Sequence, residues 1–411
     1  MPSRQDQLHS YQFMIQRVVS ALVMRETDPP RSPFRRLAGA TLIGALVAAL
    51  GFGGAAAYAV ISPAGSTAWR DESAVIVEQE TGALYVYRGE RLQPVLNFTS
   101  ALLILNTPSI KTVSVRRSAL AGVPRSAPVG IAEAPASLPP VEAISRDSWA
   151  VCWSSASAVS VVIGGIGGGR VVDRSALLAL GADGATYLLF RGRKHAIRDA
   201  ATVLIQFSWN TKPRVSLAPE FLNAMPSGAD LRRPDLAPST RFYQVENSYF
   251  VGVPGGFAPL TPFQYRLVHT GVVSSLSLTD FTRLGGEKPL PFGWDSSLPS
   301  DVPEILDISG ESVCSRGSSL IVNAAVPGAR VVVRPGSAAV VAAVSAPGAT
   351  PGGISLVTDV GVRYSIPSAE VLTALGYGSV TPVPVPADLL ALVPSGPALD
   401  PAAARSCPNC R

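Results

Sequence analysis

Lysine is nearly missing from this chain. Only four of its 34 Lys and Arg residues are lysines (Lys111, Lys194, Lys212 and Lys288), and none follows a glycine. A GxxxxGK[ST] phosphate loop uses that lysine to reach the phosphates, so this motif is excluded. The run Gly164, Gly165, Ile166, Gly167, Gly168, Gly169 is glycine-rich enough to imitate such a loop, but it reads better as a strand turn. Histidine is equally sparse, at His9, His195 and His269, and forms no HExxH or zinc-spaced cluster. No GxSxG nucleophile motif occurs. Acid–base pairs leave no linear signature, so that kind of enzyme stays open. The net charge of +5 is small and dispersed, without the concentrated basic patch of a nucleic-acid binder. Cysteine is confined to Cys152, Cys314, Cys407 and Cys410.

Against these absences stands one long apolar run. Residues 38–61, AGATLIGALVAALGFGGAAAYAVI, carry no charge. A helix of that length spans about 30 Å of hydrocarbon, and in lipid a single span must be helical to satisfy its backbone. The run starts too late and extends too far for a cleaved signal peptide. Arg4, Arg17, Arg25, Arg31, Arg35 and Arg36 precede it, whereas Arg70 is the first charge after it. The excess of arginine predicts a cytoplasmic N-terminus and roughly 340 residues outside the cytoplasmic membrane. Tyr58 and Trp69 fall where the outer interface is expected. Small residues recur at Ala40, Gly44 and Ala48, and at Gly51 and Ala55, a spacing that admits a second helix. An Ala- and Gly-rich composition accounts for them equally well.

Residues 5–24 read as an amphipathic helix. Leu8, Tyr11, Ile15, Val18 and Leu22 recur at spacings of three and four and share one face. So short a segment cannot cover that face itself. The inner leaflet or a groove on a cytoplasmic partner would have to do so. Few cationic residues flank the face, which favours the protein groove. Pro29, Pro30 and Pro33 end the helix and form a stiff link in a cytoplasmic segment 1–37.

Beyond the span, a short strand, a Gly turn and an apolar periodic segment recur four times. The turns are at Gly89 (GALYVYRG), Gly192 (ATYLLFRG), Gly255 (SYFVGVPG) and Gly361 (SLVTDVG). Leu92, His195 and Tyr364 each lie three residues after their glycine, which makes His195 a variant of a packing position. The intervals between turns are 103, 63 and 106 residues, and each long interval holds one interior cysteine. Gly89 to Gly255 is 166 residues, Cys152 to Cys314 is 162, and Gly192 to Gly361 is 169. The predicted fold is α+β. It comprises an N-terminal transmembrane helix and an extracytoplasmic domain, 70–400, of four α/β repeats around a β-rich core with pseudo-twofold symmetry. The repeats lie near 73–131, 175–233, 240–285 and 337–399, the core segments near 141–174 and 303–336. Cys152 and Cys314 occupy equivalent places in the two halves. They are either bridged near the pseudo-twofold axis or two buried thiols. Residues 401–411 read as a frayed tail in which Cys407 and Cys410 form a local or intermolecular link.

The opening PSRQDQLHSYQFMIQRVVSALVMRETDPPRSPFRR, followed at once by the span, closely resembles EccB, a membrane core component of actinobacterial type VII (ESX) secretion systems. The four repeats and paired cysteines extend the resemblance over nearly the whole chain. It implies a single-pass inner-membrane protein whose repeats resemble a phage-lysin cell-wall-binding fold, with a core disulfide at Cys152 and Cys314. It also implies assembly with EccC, EccD, EccE and the mycosin protease, homo-oligomerisation through the outer domain, and peptidoglycan as a candidate partner. The expected role is that of a structural subunit, not an enzyme, with no cofactor, metal or catalytic residue assigned. Members are often labelled ATPases, so an extracytoplasmic nucleotide hydrolase is the alternative.

Overall fold

The structure is a computed structural model that describes residues 3–24, 41–50, 67–107, 110–155, 158–294, 296–326, 328–346 and 348–408. The chain forms two compact units, Met1–Arg70 with Ser114–Gly122, and Asp71–Val113 with Val123–Arg411.

In the first unit, α1 (Arg4–Met24) is a 21-residue helix. Its start is fixed by Ser3, whose hydroxyl accepts from the Asp6 amide (3.4 Å) and donates to the Asp6 carboxylate (2.8 Å). Residues 41–50 are helical and expose Leu42, Ile43, Leu46, Val47 and Leu50. The rest of the apolar run 38–61, and the prolines before it, lie outside the described residues. Among the described residues no helix is long and apolar enough to cross a membrane. A 3₁₀ turn, Thr67–Arg70, buries Trp69 beneath the Arg70 guanidinium, 5.2 Å from the ring.

The second unit is mixed α+β and rich in sheet, the class expected from the sequence. In chain order it begins with β1 (Ala74–Glu78), β2 (Leu84–Arg88), β3 (Arg91–Val95), α2 (Phe98–Leu105) and β4 (Lys111–Val115), the last of which extends past the end of this unit's first segment. β5 (Trp149–Ser154), β6 (Ala158–Ile163) and β7 (Gly167–Val172) follow. Next come β8 (Ser175–Leu180), β9 (Thr186–Phe190), β10 (Arg193–Ala196), α3 (Ala200–Gln206), β11 (Arg214–Ser216) and α4 (Pro219–Ala224). The same sequence of elements returns in β12 (Phe242–Val245), β13 (Ser248–Val253), β14 (Gly256–Leu260), α5 (Pro262–Val268), β15 (Val273–Leu276) and α6 (Leu278–Arg283). After β16 (Glu304–Ile305), β17 (Val313–Arg316), β18 (Ser319–Ala325) and β19 (Val331–Val332) it returns again. That last set is β20 (Ala338–Val344), β21 (Ile354–Thr358), β22 (Arg363–Ile366), α7 (Ala369–Ala374), β23 (Val383–Pro386) and α8 (Ala387–Ala391), and α9 (Pro401–Ala404) ends the unit.

Four sheets therefore share one strand order, third–second–first–fourth. The first three strands are antiparallel neighbours. The fourth is parallel to the first in the pairs β11–β8, β15–β12 and β23–β20. A parallel return needs a crossover, and each of these crossovers carries a helix. Gly89, Gly192, Gly255 and Gly361 all lie between second and third strands with φ of 52°, 69°, 78° and 75°. A left-handed turn residue is why glycine recurs there. The helices after the third strand start at side-chain caps in three sheets: Asn97 to Ser100 N, Thr261 in a capping box with Gln264, and Ser368 to Val371 N. After the fourth strand, the chain returns along the outer edge of the third. There Lys194 bonds Pro226 O and Gly228 N, and Arg363 bonds Pro394 O and Gly396 N in the same pattern.

Between these sheets lies a six-stranded sheet in the order β19–β6–β5–β17–β18–β7. Its inner four strands are antiparallel, β5 facing β17. The outermost strands differ, β7 being antiparallel to β18 but β19 parallel to β6. One apolar cluster joins one face of this sheet (Val151, Val161, Val313, Val322) to β8 and β20 and to the helices α4 and α8. A second joins α2 to α7, and a third joins α3 to α5. Two short parallel additions cross between the two halves of the chain. β16 pairs with β8 through Ile305 and Ala176, and Ile144 pairs with Ala338 at the start of β20.

The expectation of a frayed tail from residue 401 is corrected in part. Asp400 caps α9, Ala404 is fully buried in the α2–α7 cluster, and Ser406 O accepts from Gly130 N at 3.2 Å. Residues 409–411 lie outside the described residues.

Candidate assembly surfaces and the disulfide core

Among the described residues, α1 exposes a run of large apolar side chains. Leu8, Tyr11, Ile15, Val18 and Leu22 are all exposed, Leu22 by 77%. At 100° per residue these five occupy one sector about 80° wide. Met14, also exposed, widens the sector, since it lies three residues after Tyr11 and four before Val18. That spacing is readable in the sequence. Phe13 is exposed on the opposite side, where the Arg17 guanidinium lies 5.9 Å from its ring. Covering each such side chain is worth about 1.5–3 kcal/mol.

Cys152 on β5 and Cys314 on β17 are directly opposite in register and form a disulfide, with Cα atoms 4.0 Å apart. Both are fully buried, among Ala150, Val162, Ile321 and Ala324. The bridge joins the two central strands of the six-stranded sheet, one from each half of the chain. Cys407 is also disulfide-bonded, its partner lying outside the described residues.

The residues that would suggest chemistry are dispersed. His9 is exposed on α1. His195 is fully buried on β10, where Nδ1 is 2.9 Å from Ala229 O. Gly228 lies against its ring, just as Gly396 lies against the ring of Tyr364 in the last sheet. His269 is half-buried between Phe242 and Tyr265, with ring centroids 5.4 and 4.6 Å away. Burial, aided by Arg266, pulls its pKa below the usual histidine value. Lys194 reaches Leu222 O at 2.5 Å near the end of α4, and burial pulls its pKa down too. Among the described residues no group of three His, Cys, Asp or Glu side chains is placed to hold a metal. The glycine run leads into β7, where Gly168 and Gly169 have φ of 65° and 85°. A side chain on Gly169 would collide with Ile321 and Ala324 of β18, so this glycine permits close strand approach.

The family described as type VII secretion system ESX-1, transport TM domain B, matches residues 1–274 and 300–408. A protein of Mycolicibacterium smegmatis named ESX-3 secretion system ATPase EccB3 is 28% identical over 96% of this chain and 88% of its own length. Among solved structures, a chain of an intact ESX-5 inner membrane complex matches with a TM-score of 0.63 at 24% identity. The match covers 99% of this chain and 95% of that one. A chain of an EccB3 dimer from an ESX-3 core complex matches with a TM-score of 0.63 at 23% identity, covering 81% and 99%. These two likenesses concern the fold alone.

Proposed function

The chain belongs to the EccB family of type VII secretion, and from that membership we propose that it is a structural membrane subunit of an ESX complex. In this reading residues 38–61 span the inner membrane once, residues 1–37 are cytoplasmic, and the repeat domain stands on the outer side. The arginine excess before the apolar run supports that orientation. The two cores of the domain are related by a pseudo-twofold axis that passes close to Cys152 and Cys314. The symmetric order of the inner four strands supports this, and the differing directions of β7 and β19 mark where it breaks. Partners are EccC, EccD, EccE and the mycosin protease, together with further copies of the chain through the outer domain, and peptidoglycan is a candidate ligand of the repeats.

The observation that carries a structural role is the uncovered apolar sector of α1, a contact surface with no chemistry attached. Relatives named as ATPases keep nucleotide hydrolysis as the second reading. Against it stand the missing phosphate-loop lysine and the packing role of Gly169. The orientation is tested by single cysteines at positions 30 and 230 in intact cells. Protection at 30 with labelling at 230 is expected, and equal labelling at both overturns the single-span arrangement.

A further inference from the structure

A Ser-Ala or Ser-Thr pair stands at the start of the first strand in three sheets and shortly ahead of β12 in the third: Ser73-Ala74, Ser175-Ala176, Ser239-Thr240 and Ser337-Ala338. In the second and fourth sheets a short extended segment from the other half of the chain lies beside this point. Leu306 N–H donates to Ala176 O at 3.0 Å, and Ser145 N–H donates to Ala338 O at 2.7 Å. Both segments are parallel to the strand that they extend. The first of them carries a carboxylate directly ahead of the paired aliphatic residue, Glu304 before Ile305, whereas Glu142, two before Ile144, lies in the 3₁₀ turn Val141–Ala143.

In the third sheet the same point lies just ahead of β12, where a turn ends at Thr240. Leu178 faces Arg214 in the second sheet as Phe242 faces Val273 in the third, so Thr240 stands where Ala176 does. No donor among the described residues bonds the Thr240 carbonyl, and the Thr240 N–H turns inward to Ala237 O at 2.8 Å. A cavity of about 560 Å³ opens here, bounded by Thr240, Phe242 and Thr270 and by Arg198, Arg232 and Arg233. Asp199 and Asp235 also line it. Arg198 is held by Asp230 at 2.8 Å, whereas no carboxylate within 4 Å pairs with Arg232 or Arg233 among the described residues.

We propose that this cleft receives an extended peptide strand of another protein, parallel to β12, with a carboxylate just ahead of an aliphatic side chain. One backbone N–H of that strand bonds Thr240 O, as Leu306 N–H bonds Ala176 O. Its carboxylate meets Arg232 and Arg233, and the aliphatic residue lies toward Phe242. The four residues of β12 are already paired with β13 and β15, so the added strand extends the sheet ahead of Phe242, where main-chain bonds supply affinity and flanking pockets supply choice. Open edges of this kind are usually blunted or covered, and the two sister sites are covered from within.

The test uses the full chain in detergent and a fluorescein-labelled peptide with the sequence of residues 300–308, SDVPEILDI. Saturable binding is expected, weakened at least tenfold by Arg232→Ala with Arg233→Ala. Binding that persists in that variant reports the β8 site and overturns the assignment. N-methylation of the peptide at its Leu306 position should weaken binding tenfold, whereas methylation at its Ile305 position should leave it within twofold. Equal loss from both methylations sinks strand pairing without any change to the protein. Full displacement by inorganic phosphate at millimolar concentration reduces the cleft to an anion site and overturns the proposal. A fall in oligomer mass in the arginine variant would put a second copy of the chain there instead, with the same consequence.

Discussion

Gly228 lies so close to His195 that a Cβ on it would stand 2.6 Å from the imidazole Nδ1. The φ of Gly228 is not in the left-handed region, so the demand for glycine is steric. Gly228→Ala should therefore destabilise the sheet-rich unit by about 1–3 kcal/mol, as overpacking of a filled core does. Thermal melting of the variant beside Gly396→Ala, which would push into Tyr364, checks this. An unchanged melting temperature in both would show that the rings are free to move.

Reduction of the Cys152–Cys314 bridge should lower the melting temperature of the sheet-rich unit. The bridge closes a sequence separation of 162 residues, which in the chain-entropy account is worth on the order of 5 kcal/mol, less if the pairing is strained. Peptide mapping without reductant should recover the two cysteines as one linked pair. Free thiols at both positions after oxidative preparation would contradict it.

A pH dependence follows from His269. Its folded pKa is depressed, mainly by burial, so the folded state favours the neutral ring. Stability is then fully present above the ordinary histidine value of about 6.5 and declines as pH falls through and below it, until the folded ring also takes a proton. The junction at stake is where Gln206 Nε2 donates to His269 O and Arg266 Nε donates to Gln206 O. His269→Gln should flatten the melting temperature between pH 8 and pH 5.5. A wild-type profile kept by that variant would place the titration elsewhere.

Replacing Ile15 and Val18 by Asp puts two charges into the apolar sector of α1. The outer domain should remain folded and membrane-associated while EccC or EccD is lost on co-purification and secretion stops. A fully retained complex would remove α1 from the assembly contacts.

The purified outer domain should hydrolyse ATP no faster than a matched blank, and Gly169→Ala should perturb folding through its clash with Ile321. Hydrolysis lost on that substitution with the fold intact would favour the enzyme reading.

Local signals were legible and distant ones were not. The three- and four-residue spacing from Leu8 to Leu22 marks a helix because one turn repeats on that interval, and α1 runs over those residues. Gly89, Gly192, Gly255 and Gly361 stood out because left-handed turns leave few alternatives to glycine. The second helices α4, α6 and α8 and the fourth strands escaped notice. β11 is three residues long, and its place is set by pairing with β8 more than 30 residues earlier, for which no periodicity exists. Arg232 and Arg233 were invisible for a related reason. They matter through Thr240, whose place is set by the pairing register that the third sheet shares with the second. The tail misled because Pro401-Ala-Ala-Ala looks featureless, although Ala404 is small enough to enter a packed core.

The crossed pairing of Ile144 with Ala338 and of Ile305 with Ala176 bears on biogenesis. Each half lends a segment to the other, so neither is finished alone. While the ribosome is still making the middle of the chain, β8 has no cover over Ala176, and Ile144 has no strand to join. Both gaps close only after residues 304–306 and then 338 have emerged. Until then the nascent protein carries two unsatisfied edges, and escorting them is a task for whatever meets the chain first.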